Sequence, residues 1–178
     1  MLRKSVPYFL LAFCISLSSC NGESILLPGN HRASIENLDI EPDIVFPGEN
    51  VQVRIEFIPD SIEGSPSFGS DVPISTPVST GATVGIRLPS NTQFVTGSSR
   101  FTGRGLNEPV VSNCDDEGQY LLYSFFPDDV APLETATLSF AVHVEGGEGT
   151  KSVFVATGPR LNCTHLLGAE GTINVQSP

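Results

Sequence analysis

Four cysteines carry most of the covalent chemistry that this sequence could support. They are Cys14, Cys20, Cys114 and Cys163. A thiol can be acylated, can bind a soft metal ion, or can join a second thiol in a disulfide. Cys14 lies inside an apolar N-terminal run and Cys20 lies directly behind it, whereas the other two lie far downstream. The positions therefore favour different chemistry for different cysteines.

The N-terminal segment before Cys20 has the features of an export signal. Arg3 and Lys4 precede a largely apolar run from Val6 to Leu17. A run of this length suits a signal-peptide core of about 7–15 residues and falls short of the roughly 20 residues that span a bilayer as a helix. The segment therefore predicts export of the chain.

The end of this segment, Leu17-Ser18-Ser19-Cys20, resembles the lipobox of bacterial lipoprotein signal peptides. The resemblance implies that residues 1–19 are removed and that Cys20 is lipidated, for example with palmitate, as the first mature residue. The alternative is an ordinary secretory signal and a secreted protein, which would leave an odd number of cysteines. Lipidation of Cys20 leaves an even pair, and cysteine counting therefore favours the lipoprotein.

Cys114 and Cys163 are the remaining pair. An exported chain meets an oxidising compartment, where such pairs form disulfides. Closing the loop between them (163 − 114 = 49 positions) would stabilise the fold by about 4 kcal/mol in the chain-entropy model. We therefore predict a Cys114–Cys163 disulfide, with two separate thiols as the alternative.

Acidic and histidine side chains give weak support for a metal site. Asp115–Glu117 and Asp128–Asp129 flank the apolar segment Tyr120–Phe126. Acidic turns at opposite ends of one strand are too far apart to share an ion, and neither matches a calcium-binding loop. His165 is close to Cys163, but a disulfide would remove that thiol as a zinc ligand. We expect solvated turns and no metal or other cofactor.

Nucleophilic catalysis is similarly weakly supported. The sequence has no Gly-x-Ser-x-Gly elbow, and His143 falls on the water-facing side of its strand, between Val142 and Val144. A hydrolase would have to bring His143 or His165 to a serine and a carboxylate. There is no Trp, and we expect Tyr120 and Tyr123 to pack in the core rather than to bind sugars. The sequence predicts no enzyme.

The charge of the chain excludes one class of partner. The whole chain carries −11, and removal of Arg3 and Lys4 with the signal leaves −11 − 2 = −13. An acidic surface of this kind repels nucleic acid and anionic lipid headgroups. We therefore expect no nucleic-acid partner.

Strict alternation of apolar and polar residues indicates the strands that position these groups. In Val51–Phe57 every second residue is apolar, which predicts a half-buried strand. Strands are also predicted at Thr83–Leu88, with Val84, Ile86 and Leu88 inward, and at Thr135–Val144, which alternates again. Tyr120–Phe126 is apolar on both faces, which predicts a central strand. Shorter strands are predicted at Ala33–Ile40, Thr92–Thr96, Ser99–Thr102, Glu108–Ser112 (an edge, because of Pro109), Lys151–Ala156 and Gly171–Val175, with Leu161–Leu167 as a further candidate.

Turn signals between these strands predict the domain organisation. We expect a signal peptide at 1–19, a tether at 20–34 and one all-β domain at 35–178, an antiparallel β-sandwich of immunoglobulin (Ig) type. The stretch Pro59–Gly81, rich in Ser, Pro and Gly, is interpreted as a long surface loop with one short strand near Val72–Ile74.

Three segments in order resemble the conserved-repeat domain of bacterial surface proteins. They are Pro47–Val53, Leu88–Ser98 and Ala131–Leu138, within a match that covers about Asp43 to Val144. The resemblance implies an Ig-like envelope module without catalysis. This chain departs from the family in having a single copy and a long middle loop.

Together these observations predict a lipid-anchored, non-catalytic interaction or structural protein of a bacterial cell envelope. The membrane is contacted through the anchor, and a protein partner would bind the sheet edges or the Pro59–Gly81 loop. Because Asn21 replaces the aspartate associated with inner-membrane retention, the outer membrane is preferred if the host has one. The alternative is a surface module that binds a ligand, a glycan or calcium.

Overall fold

The computed structural model describes residues 32–63, 77–79, 81–105, 108–114, 118–158, 163 and 168–177. Within these residues all regular secondary structure is β-strand. In chain order the strands are β1 (Ala33–Glu41), β2 (Ile44–Val45), β3 (Asn50–Pro59), β4 (Ser61–Glu63), β5 (Pro77–Ser79), β6 (Ala82–Arg87), β7 (Thr92–Phe94), β8 (Arg100–Phe101), β9 (Val110–Cys114), β10 (Gly118–Phe125), β11 (Ala136–Val144), β12 (Gly149–Thr157) and β13 (Ala169–Val175).

The strands form two main sheets that pack face to face. Sheet A has the order β1-β3-β11-β7, with β8 also paired to β11, and sheet B has the order β2-β13-β12-β6-β10-β9. All pairs are antiparallel except β2 with β13. The chain crosses repeatedly between the sheets, and the result is an Ig-like β-sandwich, as the sequence predicts.

The predicted alternation places the core. In β3, Val51, Val53, Ile55 and Phe57 are at most 1% exposed, while the residues between them face solvent or are half-buried. β11 repeats this pattern from Ala136 to Val144 and lies beside β3 in register, with Leu138 opposite Ile55. Because the two strands present apolar rows to the same side, sheet A can bury that side against sheet B.

Aromatic rings fill one part of the space between the sheets. Phe57 and Phe101 of sheet A contact Phe125 of sheet B, with ring centroids 5.5 Å and 4.3 Å from that of Phe125. Tyr123 and Phe140 continue the cluster at 6.0 Å. Offset and tilted aromatic pairs at these distances add to the stability gained by burial.

The turn predicted at Pro47–Gly48 is confirmed. Gly48 has φ +93°, a conformation that favours glycine, and its N–H donates to the carbonyl of Val144 at 2.8 Å. The hydrogen bond ties the entry of β3 to the end of β11. The Pro-Gly turn therefore sets the register of the two central strands of sheet A.

Most predicted strands are confirmed, with boundaries that shift by a few residues. β10 lies between β6 and β9, as the apolar segment Tyr120–Phe126 predicts, and β9 is a sheet edge, as Pro109 predicts. The two-residue strand β2 was not predicted. The predictions at Val72–Ile74 and for most of Leu161–Leu167 lie outside the described residues.

The interpretation of Pro59–Gly81 as a loop is corrected in part. β4 and β5 lie within it and pair antiparallel, with Ile62 opposite Val78. Both strands are only three residues long, too short for a pattern of alternation to be recognised in the sequence.

Candidate interaction surfaces

Cys114 and Cys163 are joined in a disulfide, as the cysteine count predicts, with their Cα atoms 5.8 Å apart. Cys114 is buried at the end of β9. The disulfide therefore attaches the last residue of an edge strand to a segment that follows β12 in the chain. Cys20, the predicted lipidation site, lies outside the described residues, as does His165.

His143 occupies the water-facing side of β11, where the sequence places it. Its Nδ1 lies 2.8 Å from Oδ1 of Asn50 on the neighbouring strand β3. Among the described residues, His143 makes no hydrogen bond to a serine or to a carboxylate. Its observed role is a cross-strand polar contact.

The acidic turn Asp128–Asp129 has a structural role. The Asp129 carboxylate accepts a hydrogen bond from the N–H of Phe126 at 2.8 Å, and its own N–H donates to the carbonyl of Phe126. Asp115–Glu117 lie outside the described residues. Within the part of the chain that is described, no three His, Cys, Asp or Glu side chains are grouped as metal ligands.

A buried hydroxyl pair lies between the sheets. Ser99 is fully buried, and its Oγ lies 2.9 Å from the hydroxyl of Tyr123 and 3.2 Å from Oε2 of Glu108. Both contacts are satisfied if Tyr123 donates to Ser99 and Ser99 donates to Glu108. Burial, assisted by the negative charge of Glu108, raises the pKa of Tyr123 well above its usual range, although the Ser99 hydrogen bond lowers it.

The hydrogen bond between the two hydroxyls gives Ser99 and Tyr123 a structural role. The predicted core position of Tyr123 is confirmed. The sequence gives no signal for Ser99, because a buried serine and a loop serine have the same local pattern. A neutral tyrosine held by a hydrogen bond positions the β7–β8 connection against β10.

The outer face of sheet A carries a shallow polar groove. A row across the strands consists of Asp39, Arg54 and Ser139, and the next row brings Glu41 beside Gln52. These five residues line a cavity of about 320 Å³. An adjoining open cavity of about 530 Å³ is lined by Glu41, Pro42, Asp43 and Gln52.

The groove is negatively charged, because the arginine among its lining residues is paired with a glutamate and the other charged residues of the two cavities are acidic. Arg54 Nη2 lies 2.6 Å from Oε1 of Glu56, two positions along the same strand. The side-chain carboxylates of Asp39, Glu41 and Asp43 make no hydrogen bond to the described part of the chain. The groove could therefore accept a polar or cationic group from solution, although it is shallow.

A second surface is the open edge of sheet B. The side chains of Val110 and Val111 are 69% and 44% exposed, one on each face of the edge strand β9. β9 pairs only with β10 among the described strands. Exposed, uncharged edge strands are available for pairing with another chain, and natural proteins usually protect them with charges or proline.

The remaining exposed large apolar side chains of the described residues are at the two ends of the sandwich. Ile44 lies in β2, Phe46 directly follows that strand, and Phe126 and Leu133 lie in the β10–β11 connection. None of the described residues forms a helix long and apolar enough to cross a bilayer.

No protein family and no curated protein sequence matches this chain. The predicted resemblance to the conserved-repeat domain therefore stays a prediction.

Solved structures resemble the chain at the level of fold only. They include the DNA glycosylase AlkC of Pseudomonas fluorescens bound to DNA (10% identity, 82% of this chain and 30% of that chain, TM-score 0.40). The pilus protein RrgB of Streptococcus pneumoniae shares 13% identity over 71% of this chain and 22% of that chain, with TM-score 0.42. A type II cohesin domain from the cellulosome of Acetivibrio cellulolyticus shares 17% identity over 80% of this chain and 95% of that chain, with TM-score 0.42.

The present chain spans less than a third of the first two of these proteins. At such identities and TM-scores the similarities carry no argument about function.

Proposed function

We propose that this chain is a lipid-anchored, non-catalytic protein of a bacterial cell envelope that acts by contacting another protein. The observation that carries the contact role is the open, uncharged edge of β9, where Val110 and Val111 are exposed. The anchor is supported by the lipobox-like Leu17–Cys20 and by the even pair of cysteines that lipidation leaves.

The distance between anchor and domain fits this arrangement. β1 begins at Ala33, and 33 − 20 = 13 positions separate it from Cys20. An extended chain reaches at most about 3.3–3.6 Å per residue, or roughly 45 Å over this length. The tether therefore holds the domain near the lipid surface. The acidic charge of the mature chain disfavours contact between the domain and anionic headgroups. We prefer the outer membrane where the host has one.

The anchor is tested by membrane fractionation of cells that express Cys20→Ser. Because acyl chains on Cys20 would provide the attachment, the variant should move to the soluble fraction. Cys14→Ser is the matched control, since it changes a thiol within the signal and should remain attached. A membrane-bound Cys20→Ser protein, or an unacylated mature N-terminus by mass spectrometry, would contradict the proposal.

The contact role is tested by placing a photo-crosslinking amino acid at position 111 in intact cells. We expect one discrete adduct there and none from position 37, an exposed site on β1 of the other sheet. Equal crosslinking from both positions would indicate random encounter and would remove β9 as the contact surface.

A ligand-binding surface module is the second candidate, and the acidic groove of sheet A favours it. A ligand of the native state raises the melting temperature of the protein that binds it. A melt that is unchanged by calcium and by a panel of glycans would remove this candidate. A rise that is lost in Glu41→Gln would favour it over the contact role.

A further inference from the structure

We propose that β9 binds an extended segment of the partner protein as a seventh strand of sheet B, and that this segment has an uncharged, β-branched centre flanked by basic residues. The inference rests on the proposed contact role and specifies its surface and its partner. Strand addition uses backbone hydrogen bonds for affinity and neighbouring side chains for selectivity.

The hydrogen-bond pattern identifies the backbone groups of β9 that bond to no other described strand. The Gln119 carbonyl accepts from the N–H of Leu88, at 2.8 Å, which places the backbone groups of Gln119 on the β6 side of β10. In a strand these groups alternate sides, so that Tyr120 and Leu122 bond to β9. Their register partners Ser112 and Val110 therefore point inward.

The backbone groups of Val111 and Asn113 consequently point out of the sheet. Neither residue has a backbone hydrogen bond to a turn or loop within the described residues. The backbone groups of Pro109, two positions before Val111, also point away from β10. The missing N–H of this proline therefore removes no bond to β10. The edge thus offers the N–H and the carbonyl of Val111 and of Asn113, two residues apart, which is the spacing that an added strand requires.

The two exposed valines make the edge apolar as well as open. Val111 pairs with Leu121, whose side chain is fully buried in the core. A strand beside β9 would therefore place one side chain next to Val111 on the core-facing side of sheet B. It would place another next to Val110 on the opposite face. Both burials favour β-branched residues in the partner segment.

Other described edges are less available. β2 and β8 have two residues each, and β4, β5 and β7 have three each. β1 is long, but its first residue is tied to sheet B, since the N–H of Ala33 donates to Thr157 Oγ1 at 3.3 Å. Leu38 and Ile40 of the same strand lie against Gly171 of β13.

The charges around β9 select the flanks of the partner. Pro109–Cys114 carry no charge, but Glu108 precedes them and Asp115–Glu117 follow them in the sequence. Basic flanks would complement both ends. A second copy of this chain is disfavoured, because antiparallel pairing of two β9 strands would bring Glu108 of one copy towards the acidic residues after Cys114 of the other.

The test uses the mature chain 20–178 with Cys20→Ser, so that solubility and anchoring do not enter the result. The probe is the peptide Lys-Lys-Thr-Val-Thr-Val-Thr-Lys-Lys, titrated by NMR. We expect saturable shifts confined to β9 and its neighbours, and at least tenfold slower amide exchange at Val111 and Asn113. A peptide with Glu in place of every Lys, and one N-methylated at its three central residues, should each bind at least tenfold more weakly.

Two variants test whether the peptide binds to the backbone edge of β9 or elsewhere on the surface. Val111→Pro removes one outward N–H without removing a bond to β10 and should weaken binding at least tenfold. Val111→Thr keeps the N–H and the β-branched shape and should retain binding. The amide exchange of the unsubstituted chain decides the question if Val111→Pro does not fold.

Three results would overturn the inference. These are unchanged exchange at Val111 and Asn113, equal binding of the acidic and basic peptides, or a concentration-dependent dimer by ultracentrifugation that Val111→Pro abolishes. Each leaves fractionation of Cys20→Ser unaffected, so that failure here and failure of the anchor are distinguishable.

Discussion

At the scale of single residues, the hydrogen bonds of buried hydroxyls have the clearest consequences. Ser99 and Tyr123 satisfy each other between the sheets, whereas the hydroxyl of Tyr120, only 4% exposed as a residue, has no hydrogen-bond partner among the described residues. A buried polar group left unpaired costs about 1–3 kcal/mol. The two tyrosines of β10 should therefore respond in opposite directions to loss of the hydroxyl.

Ser99→Ala should destabilise the protein more than Tyr123→Phe. The first substitution leaves the Tyr123 hydroxyl buried without a partner, whereas the second leaves Ser99 bonded to Glu108. We expect a loss of about 1–3 kcal/mol in the free energy of unfolding for Ser99→Ala, measured by urea denaturation. Adding Tyr123→Phe to Ser99→Ala should recover part of it, and strictly additive losses would contradict the pairing.

Tyr120→Phe should raise the free energy of unfolding at neutral pH by about 1 kcal/mol, since it removes an unpaired buried hydroxyl. Burial also raises the pKa of Tyr120 from 10.0 to about 12. The unfolded chain therefore releases this proton at lower pH than the folded one does, and stability falls as the pH rises from 10 towards 12. Urea denaturation across this range should show a shallower fall for Tyr120→Phe, and an unchanged slope would contradict the assignment.

At the scale of elements, the β10–β11 connection combines exposure with an unusual backbone conformation. Leu133 is 64% exposed and has φ +61°, directly after Pro132 and before β11. Proline followed by a positive φ is the arrangement of a type II turn, in which glycine is preferred at the second position. A leucine there raises the energy of the turn without burying its side chain.

Leu133→Gly should therefore stabilise the protein by about 0.5–1 kcal/mol. Leu133→Ala is the matched control, because it removes the exposed side chain but keeps the Cβ that disfavours this conformation. Thermal melts of the two variants should show a higher melting temperature for glycine and little change for alanine. A glycine variant that melts below the alanine variant would show that the leucine side chain makes a stabilising contact.

At the scale of the whole molecule, the disulfide constrains the far edge of sheet B. It joins Cys114, the last residue of β9, to Cys163 across 49 positions. Between them the chain passes through β10, β11 and β12, and so the crosslink spans strands of both sheets. Its main effect is expected on the unfolded chain, whose freedom it reduces.

Replacing both cysteines by serine should lower the free energy of unfolding by about 4 kcal/mol in the chain-entropy model. Urea denaturation of the mature chain carrying Cys20→Ser, with and without reductant, measures the effect. Reduction should destabilise the chain with intact Cys114 and Cys163 and leave the double variant unchanged. Equal stability of the two chains would show that the crosslink contributes little.

The position of each strand in its sheet determines which kind of surface that strand offers. The polar groove lies on the outer face of sheet A, across β1 and the central strands β3 and β11, whereas β9 is an edge that pairs only with β10 among the described strands. The backbone groups of a central strand are paired on both sides, whereas an edge strand can add a neighbour on its outer side. The contact proposed for β9 therefore follows from its position in the sheet.

Local patterns in the sequence were sufficient to identify the fold class and the main strands. The alternation in Val51–Phe57 and Thr135–Val144 assigned the buried faces, because side chains alternate across a strand wherever one side is covered. Pro47–Gly48 marked a turn, and cysteine counting predicted the pair Cys114–Cys163. Cys20 and its lipidation remain a prediction from the N-terminal pattern alone.

Only the tertiary structure decided which strands are neighbours and therefore which groups are free. The parallel pairing of β2 with β13, the burial of Ser99 against Tyr123 and the outward direction of Val111 depend on contacts between distant segments. Short polar or apolar stretches are compatible with several pairings, and their local sequence does not select one. The register of the sheet is set by packing of the whole core, and this is the physical reason that the interaction surface could not be located before the fold.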